Sequence, residues 1–353
     1  MINNENKPFI VFSFCGQALQ SKTLALELYN GNKVFKESMD KLDSYIKNKY
    51  FNGESMLNKL RTQPDDAIPN SDQFVVHSFL FMFQVSIFEL LKSEGITPSV
   101  IYGASCGEIS ASYCSGILDL ETACNISFFR ATIISKVSSL NPPAKLIGIN
   151  VSNEEFIERF QRKYPKVEVI AKLKPDLVYV GCSDIEQVDS LFEDASNQGL
   201  ELKSYPAKVA FHSSAMDCIK EDVLKQTIIP RPSIIPIFSC VNGIQFNEKT
   251  FKFDQNYLFR NLRDTVENVI TYHNIFKYIE ENGGKKAIVV EISPNPTMLA
   301  NIFDSLKTLN SKLFNPINEN YKNNITFLPT LDKTKNDVLS MNETIEEIKK
   351  QLI

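Results

Sequence analysis

The sequence predicts an α/β protein with a parallel sheet, into which a small β-α-β-β-α-β unit is inserted. Three observations support this fold class. Short apolar runs typical of buried strands alternate with helical patterns in both halves of the chain. Over residues 144–206 the order becomes strand, helix, two strands joined by a tight turn, helix and strand, which is the order of a ferredoxin-like unit. The 353 residues are enough for one large domain that carries this insertion.

The first part of the chain supplies strand and helix elements of the larger domain. The apolar run Phe9–Phe14 predicts a buried strand, and amphipathic helix follows to about residue 49. Residues 75–94 are apolar on almost every face and therefore predict a helix inside the core. A short strand is expected over 99–102, and a further helix over 109–114.

The rest of the chain completes both units. In the inserted unit, strands are predicted over 146–151, 167–173, 177–183 and 200–205, and helices over 153–164 and 185–197. The α/β pattern then resumes, with predicted strands at 234–240 and 287–292 and predicted helices at 266–282 and 343–352. The expected organisation is a core of residues 1–143 and 207–310, a ferredoxin-like unit of 144–206, and a C-terminal linker and helix over 311–353.

Composition excludes several classes of function. The net charge of -4 gives no basic excess of the kind that nucleic-acid binding needs. Seven cysteines without a Cys-x-x-Cys pair, and only three histidines, argue against a disulfide framework or a metal site. The polar N-terminal residues do not resemble a signal peptide, and no membrane span is expected. The sequence therefore indicates a soluble cytoplasmic protein with reduced thiols.

The strongest local motif is Gly-Ala-Ser-Cys-Gly at residues 103–107, between a predicted strand and a predicted helix. This is the context of a nucleophile elbow, in which the residues that flank the serine must be nearly free of side chain. Ser105 would then lie at a helix N-terminus, where free backbone N–H groups can stabilise an oxyanion.

A serine nucleophile needs a base, and the chain offers three histidines. His77 falls within the apolar helix and is equally well explained as a buried core residue, and His273 falls on an amphipathic helix. His212 lies on a loop after the strand-like residues 208–211, so it can reach the elbow. From the residues alone, His212 is only modestly favoured.

Six segments together resemble the acyltransferase domains of type I polyketide and fatty acid synthases, of the malonyl-CoA:acyl-carrier-protein transacylase type. They keep the family order and cover nearly the whole chain: 16–20 (Gly-Gln-Ala-Leu-Gln), 103–108 (Gly-Ala-Ser-Cys-Gly-Glu), 210–213 (Ala-Phe-His-Ser), 261–266 (Asn-Leu-Arg-Asp-Thr-Val), 291–296 (Glu-Ile-Ser-Pro-Asn-Pro) and 327–331 (Phe-Leu-Pro-Thr-Leu). The resemblance implies an α/β-hydrolase-like core with the ferredoxin-like insertion.

The resemblance also implies catalytic roles. Ser105 would be the nucleophile and His212 the general base and acid of a Ser–His dyad. Gln17 and the backbone N–H of Cys106 would stabilise the tetrahedral oxyanion, at about 3 kcal/mol per donor. The family orients its histidine mainly through a backbone carbonyl, which would lie here around Asn295.

The same resemblance implies a binding site for the acyl group. Arg130 falls where the family clamps the malonyl carboxylate, which a guanidinium binds through two parallel charge-assisted bonds. Phe211 would narrow the pocket, and His77 and Val209 would line it. The expected substrate is malonyl-coenzyme A, no cofactor is expected to be bound, and the expected partner is an acyl carrier protein of a synthase supplied in trans.

The sequence departs from the family pattern at five positions, and these departures leave two alternatives open. The departures are Ala18, His77, Ala104, Val209 and Asn295. One alternative is a degenerate domain that serves as a docking scaffold for carrier proteins. The other is a serine hydrolase or thioesterase, although the chain lacks the His-Gly-Gly oxyanion loop that such enzymes often carry.

Overall fold

The computed structural model describes residues 7–17, 20–21, 23–62, 67–68, 73–141, 143–207, 209–247, 249–317 and 324–353. The strands are β1 (Phe9–Phe14), β2 (Gln20–Ser21), β3 (Ala67–Ile68), β4 (Val100–Gly103), β5 (Ala144–Ile149), β6 (Glu168–Lys174), β7 (Leu177–Cys182), β8 (Leu202–Ala207), β9 (Ile237–Phe238), β10 (Val266–Glu267), β11 (Ala287–Ile292) and β12 (Ile325–Pro329).

The α-helices are α1 (Leu26–Gly31), α2 (Lys33–Tyr50), α3 (Met56–Arg61), α4 (Gln73–Ser93), α5 (Gly107–Cys114), α6 (Leu120–Leu140), α7 (Asn153–Phe156), α8 (Ile185–Asn197), α9 (Lys220–Leu224), α10 (Gln255–Arg263), α11 (Asn268–Glu281), α12 (Leu299–Lys307) and α13 (Asp337–Leu352). A π-helical turn continues α7 over Ile157–Gln161, and a 3-10 turn over Ser214–Ile219 precedes α9.

The larger domain contains a five-stranded sheet in the order β12-β11-β1-β4-β9, in which every neighbouring pair is parallel. This confirms the predicted α/β class. The central strands β1 and β11 are short, mostly apolar and almost entirely buried, as expected for parallel strands that are covered on both faces. Acidic or amide side chains cap several helices; Asp119, for example, accepts a hydrogen bond from the Thr122 N–H at the start of α6.

The inserted unit has its own sheet and its own apolar core. The strand order is β6-β7-β5-β8 with antiparallel neighbours, and α7 and α8 alternate with the strands in the β-α-β-β-α-β order of the predicted ferredoxin-like unit. Its core includes Phe156, Phe160, Val180 and Leu191 and forms a cluster separate from that of the larger domain.

The predicted start of the helix over 266–282 is wrong. Residues 266–267 form β10, which pairs in parallel with Ala171 and Lys172 of β6, so helix α11 begins only at Asn268. The hydroxyl of Thr265 also donates to the Val169 carbonyl, which holds this segment against the small sheet. The small sheet therefore gains a fifth strand from the larger domain.

The sequence predicts a C-terminal linker and helix over residues 311–353, separate from the core. The structure differs from this prediction. Residues 325–329 form β12, which lies parallel to β11 at the edge of the larger sheet. Helix α13 then packs on β12, where the Thr344 hydroxyl donates to the Pro329 carbonyl. The described part of residues 311–353 therefore belongs to the larger domain.

Helix α4 lies in the core. It is 21 residues long and, among the described helices, the one whose composition would suit a membrane span, contrary to the expectation that no segment would. However, 89% of its most apolar window is buried against other elements. Its all-round apolar surface is that of a central helix in a folded domain.

Candidate active site

The serine lies at a steep turn between β4 and α5. An added Cβ at Gly103 would lie 2.5 Å from the Glu108 Cα atom, and one at Gly107 would lie 2.2 Å from the Cys15 carbonyl oxygen. Neither position can therefore carry a side chain without a shift of backbone. Ser105 itself has a φ of 49°, the left-handed conformation that an elbow imposes on its nucleophile.

The structure brings Ser105 and His212 together. The His212 Nε2 atom lies 2.9 Å from the Ser105 Oγ atom. The Nδ1 atom lies 2.9 Å from the Asp264 carbonyl oxygen, which can only accept a hydrogen bond. Nδ1 therefore carries the proton, and the lone pair of Nε2 faces the serine hydroxyl. This is the tautomer that a general base needs.

The carbonyl that orients His212 is not the one predicted from the sequence. Asn295 was expected in this role, but its carbonyl accepts a hydrogen bond from the Ser293 hydroxyl. Helix α10 ends at Arg263, and Asp264 then adopts an extended conformation, which leaves its carbonyl available to His212. The N–H of His212 donates to the Leu262 carbonyl at 3.1 Å, so the same segment holds both the ring and the backbone of the histidine.

Burial sets the charge state of His212. The side chain is 8% exposed, and burial, aided by the positive charge of Arg130, lowers its pKa to about 4. The imidazole is therefore neutral at pH 7 and able to accept a proton.

The predicted oxyanion donors lie beside the elbow. Cys106 directly precedes α5, so its backbone N–H is among those that a helix start leaves without an intrahelical partner. Gln17 is half-buried and follows Gly16, where an added Cβ would lie 3.5 Å from the Ser105 Cβ atom. Ala18, one of the departures from the family pattern, lies outside the described residues.

Arg130 lies in the same site, on helix α6. The side chain is 2% exposed; Nη2 lies 3.5 Å from the Ser105 Oγ atom, and Nη1 donates to Asn261 Oδ1. The Nε atom is buried without a hydrogen-bond partner. Across the described residues, no carboxylate forms a salt bridge with this guanidinium at 4.0 Å or less. A buried cation with an unused donor is suited to an incoming anion.

Three further residues were predicted to line the acyl pocket. His77, on α4, is 3% exposed, and its Nε2 atom has no partner. Burial and then the charge of Arg130 lower the pKa of His77 to about 3, so the ring is neutral. Val209 is fully buried and Phe211 is half-buried beside the larger core. His273 is not the partner of Ser105. Its Nε2 atom contacts the Ser305 carbonyl of α12 instead.

Three polar residues that are not among the predicted site residues also hold the site. Asn261 donates from Nδ2 to the Ser105 carbonyl at 3.1 Å, and Glu108 accepts from the same Nδ2 at 2.6 Å. Gln84, on α4, donates to the Cys15 carbonyl at 2.8 Å and so fixes the start of the loop that carries Gln17. Asn261 and Glu108 do fall within the segments that carry the family resemblance, which was the available signal.

A serine at an elbow above a parallel sheet, paired with a neutral histidine, is the arrangement found in serine enzymes that pass acyl groups through a covalent intermediate. The family model described as an acyl transferase domain matches residues 11–351. The chain belongs to this acyl transferase domain family, in the form found in polyketide synthases.

Curated relatives agree with this assignment. The chain is 37% identical over 352 residues to probable polyketide synthase 23 of Dictyostelium discoideum and 36% identical over 352 residues to probable polyketide synthase 22 of the same organism. It aligns over 98% of its own length and spans 13% of each of these relatives.

Two solved structures have the same fold. A loading acyltransferase from the avermectin modular polyketide synthase is 23% identical with a TM-score of 0.80, and the match covers 96% of this chain and 99% of that one. The acyltransferase domain from module 8 of the salinomycin polyketide synthase is 22% identical with a TM-score of 0.81, and the match covers 97% of this chain and 75% of that one.

Proposed function

We propose that this acyltransferase takes malonyl from coenzyme A onto Ser105 and passes it to the phosphopantetheine thiol of an acyl carrier protein. The observation that carries the proposal is the position of the Arg130 guanidinium, buried and 3.5 Å from the hydroxyl that His212 contacts. A thioester bound at Ser105 would place a short acyl chain beside this cation. A malonyl group ends in a carboxylate that matches it, and an acetyl group does not.

The acylation step follows from the dyad. His212 Nε2 takes the proton from Ser105 Oγ as the oxygen attacks the thioester carbonyl carbon. The negative charge that develops on the carbonyl oxygen is stabilised by the Cys106 N–H and by Gln17. The carbon–sulfur bond then breaks, and the proton held by His212 passes to the departing sulfur of coenzyme A.

The second half of the cycle runs the same steps in reverse. The carrier thiol gives its proton to His212, its sulfur attacks the acyl-serine, and the Ser105 oxygen recovers the proton when the ester bond breaks. Nδ1 stays bonded to the Asp264 carbonyl throughout, which keeps Nε2 directed at the reacting atoms. No bound cofactor takes part in these steps.

Arg130 also accounts for discrimination between acyl groups. Burial of the guanidinium away from water is unfavourable, and an anion bound beside it offsets part of this desolvation free energy. An uncharged acyl group leaves the guanidinium unpaired, so we expect slower acylation by acetyl-coenzyme A than by malonyl-coenzyme A. Phe211, half-buried next to His212, would restrict branching at the α-carbon.

The test is intact mass measurement after brief incubation with malonyl-, methylmalonyl- and acetyl-coenzyme A. We expect a malonyl adduct that Ser105→Ala abolishes, that Arg130→Ala reduces more for malonyl than for acetyl, and that a carrier protein discharges. A folded protein that takes no acyl group yet binds a carrier would contradict the proposal in favour of a docking scaffold. Loss of the adduct to water at the same rate with and without a carrier would favour a hydrolase.

A further inference from the structure

A chain of buried polar groups runs behind the nucleophile. Glu108 lies on α5 and is fully buried. Its Oε1 atom accepts from the Cys240 backbone N–H at 2.9 Å, and its Oε2 atom accepts from Asn261 Nδ2 at 2.6 Å. The Tyr257 hydroxyl lies within 2.9 Å of both oxygens. Asn261 then connects this carboxylate to Arg130 through its side-chain oxygen.

This arrangement fixes which way the Asn261 amide points. An ionised carboxylate can only accept hydrogen bonds, so the group that Asn261 turns to Glu108 must be its NH₂. The same NH₂ donates to the Ser105 carbonyl at 3.1 Å. The side-chain oxygen is therefore left for Arg130 Nη1. A reversed amide would place two donors, Nδ2 and Nη1, against each other.

We propose that Glu108 is a positioning residue for the carboxylate clamp: it sets the orientation of the Asn261 amide, and Asn261 in turn holds the Arg130 guanidinium beside Ser105. This inference rests on the proposed function, in which Arg130 binds the malonyl carboxylate. Glu108 touches neither substrate nor reacting atoms and acts only through Asn261.

The near-isosteric change Glu108→Gln separates this role from simple packing. The oxygen of the new amide must stay opposite the Cys240 N–H, because that backbone donor is buried and cannot move. The NH₂ of the new amide then faces Asn261. We expect the Asn261 amide to turn its oxygen towards it. This turn also breaks the bond from Nδ2 to the Ser105 carbonyl, and Arg130 loses its acceptor and leaves its position.

The assay is single-turnover acylation of Ser105 at pH 8, above the pKa of Glu108, which burial raises to about 7. We expect Glu108→Gln to lower the malonyl-to-acetyl ratio of acylation rates roughly tenfold, since bonds to charged groups are involved. Asn261→Ala should lower the same ratio to a similar extent, and the double variant should lower it no further, because both act through Arg130.

The matched control is Glu291→Gln, which alters a second buried carboxylate that accepts from the N–H groups of Met298 and Leu299. It should reduce the free energy of unfolding and leave the malonyl-to-acetyl ratio unchanged. An equal fall for both acyl groups in Glu108→Gln and Asn261→Ala would overturn the inference and leave Glu108 a purely structural residue.

A crystal structure of Glu108→Gln provides a readout that needs no malonyl transfer. The inference requires the Nη1–Asn261 contact to be broken, and an unmoved guanidinium would overturn it. If the wild-type protein takes no malonyl, the proposed function fails, and this structure still decides whether Glu108 positions Arg130. If Glu108→Gln does not fold, the structure of Asn261→Ala tests the step from Asn261 to Arg130, and an unmoved guanidinium there would overturn the inference.

Discussion

Ser105 and His212 meet with Oγ and Nε2 2.9 Å apart, and both residues hold the left-handed backbone conformation, with φ values of 49° and 56°. Only four non-glycine residues in the described part of the chain have a positive φ. Residues with side chains rarely adopt this region, and the cost is roughly 1–2 kcal/mol each. The two reacting side chains are therefore held in place at the expense of backbone strain on both.

This strain predicts that loss of the serine side chain has two separable effects. Ser105→Ala and Ser105→Gly should both abolish acylation, but Ser105→Gly should be the more stable by roughly 0.5–1 kcal/mol, because glycine adopts a positive φ freely. Urea unfolding of the two inactive variants tests this. Equal stability, or a less stable glycine variant, would show that the elbow is unstrained at this residue.

The second prediction concerns the pH dependence of acylation. His212 must be neutral to accept the serine proton, and burial lowers its pKa to about 4. The rate of acylation by acetyl-coenzyme A, which does not use the Arg130 clamp and so does not depend on the charge of Glu108, should therefore stay level from pH 8 down to about pH 5 and fall as pH drops through about 4. Rapid-quench acylation, with the folded state checked by circular dichroism at each pH, measures this profile. A decline centred near pH 6.5 would contradict the burial argument.

The third prediction concerns His77 and stability. In the folded protein its pKa is lowered to about 3, whereas an unfolded histidine titrates near 6.5, so between these values only the unfolded state binds the proton. Above pH 6.5 the titration of His77 therefore does not reduce the free energy of unfolding. As the pH falls from 6.5 towards 3, the free energy of unfolding decreases.

Comparison of wild type with His77→Gln isolates that contribution. Between pH 7.5 and pH 5 the variant should lose about 2 kcal/mol less of its free energy of unfolding than the wild type does. Urea unfolding at the two pH values measures the difference. The same loss in both proteins would mean that His77 is protonated in the folded state.

The fourth prediction concerns the contact between the small sheet and the histidine loop. Glu168 of β6 accepts from both the N–H and the hydroxyl of Ser214, two residues after His212, and pairs with Arg263 at 3.5 Å. Glu168→Gln should slow acylation by malonyl and acetyl alike, about threefold, because partly exposed charge-assisted bonds are worth under 1 kcal/mol.

The control for this prediction is Glu201→Gln. Glu201 is exposed in the same unit and accepts from the Asn150 side chain. The Glu201→Gln variant should acylate at the wild-type rate with both malonyl- and acetyl-coenzyme A. A fall in the malonyl-to-acetyl ratio in Glu168→Gln would show that this contact acts on the acyl pocket rather than on His212.

Features that depend on neighbouring residues in the chain could be predicted from the sequence. The apolar run of β1 and the glycines around Ser105 report burial and a steep turn directly, so both were predicted correctly. The start of α11 was misjudged because Val266 and Glu267 follow a helical pattern, while their strand conformation depends on β6, almost one hundred residues earlier in the chain.

The partner of His212 lay beyond prediction for a similar reason. A backbone carbonyl carries no residue-specific signal, so Asp264 could be found only once the end of α10 was placed against the loop of His212. The amide of Asn261 is a comparable case, because its orientation depends on Glu108 and Arg130 from two other helices.

The pairing of β10 with β6 has a practical consequence for chimeric proteins. The small unit is continuous in sequence and has a separate apolar core, so it looks like a cassette that could be exchanged between relatives. Its outermost strand, however, is donated by the segment that follows Asp264, whose carbonyl aligns the histidine. A chimera must therefore preserve the pairing of Val266 with Ala171, or the side chain of His212 will be misaligned relative to Ser105.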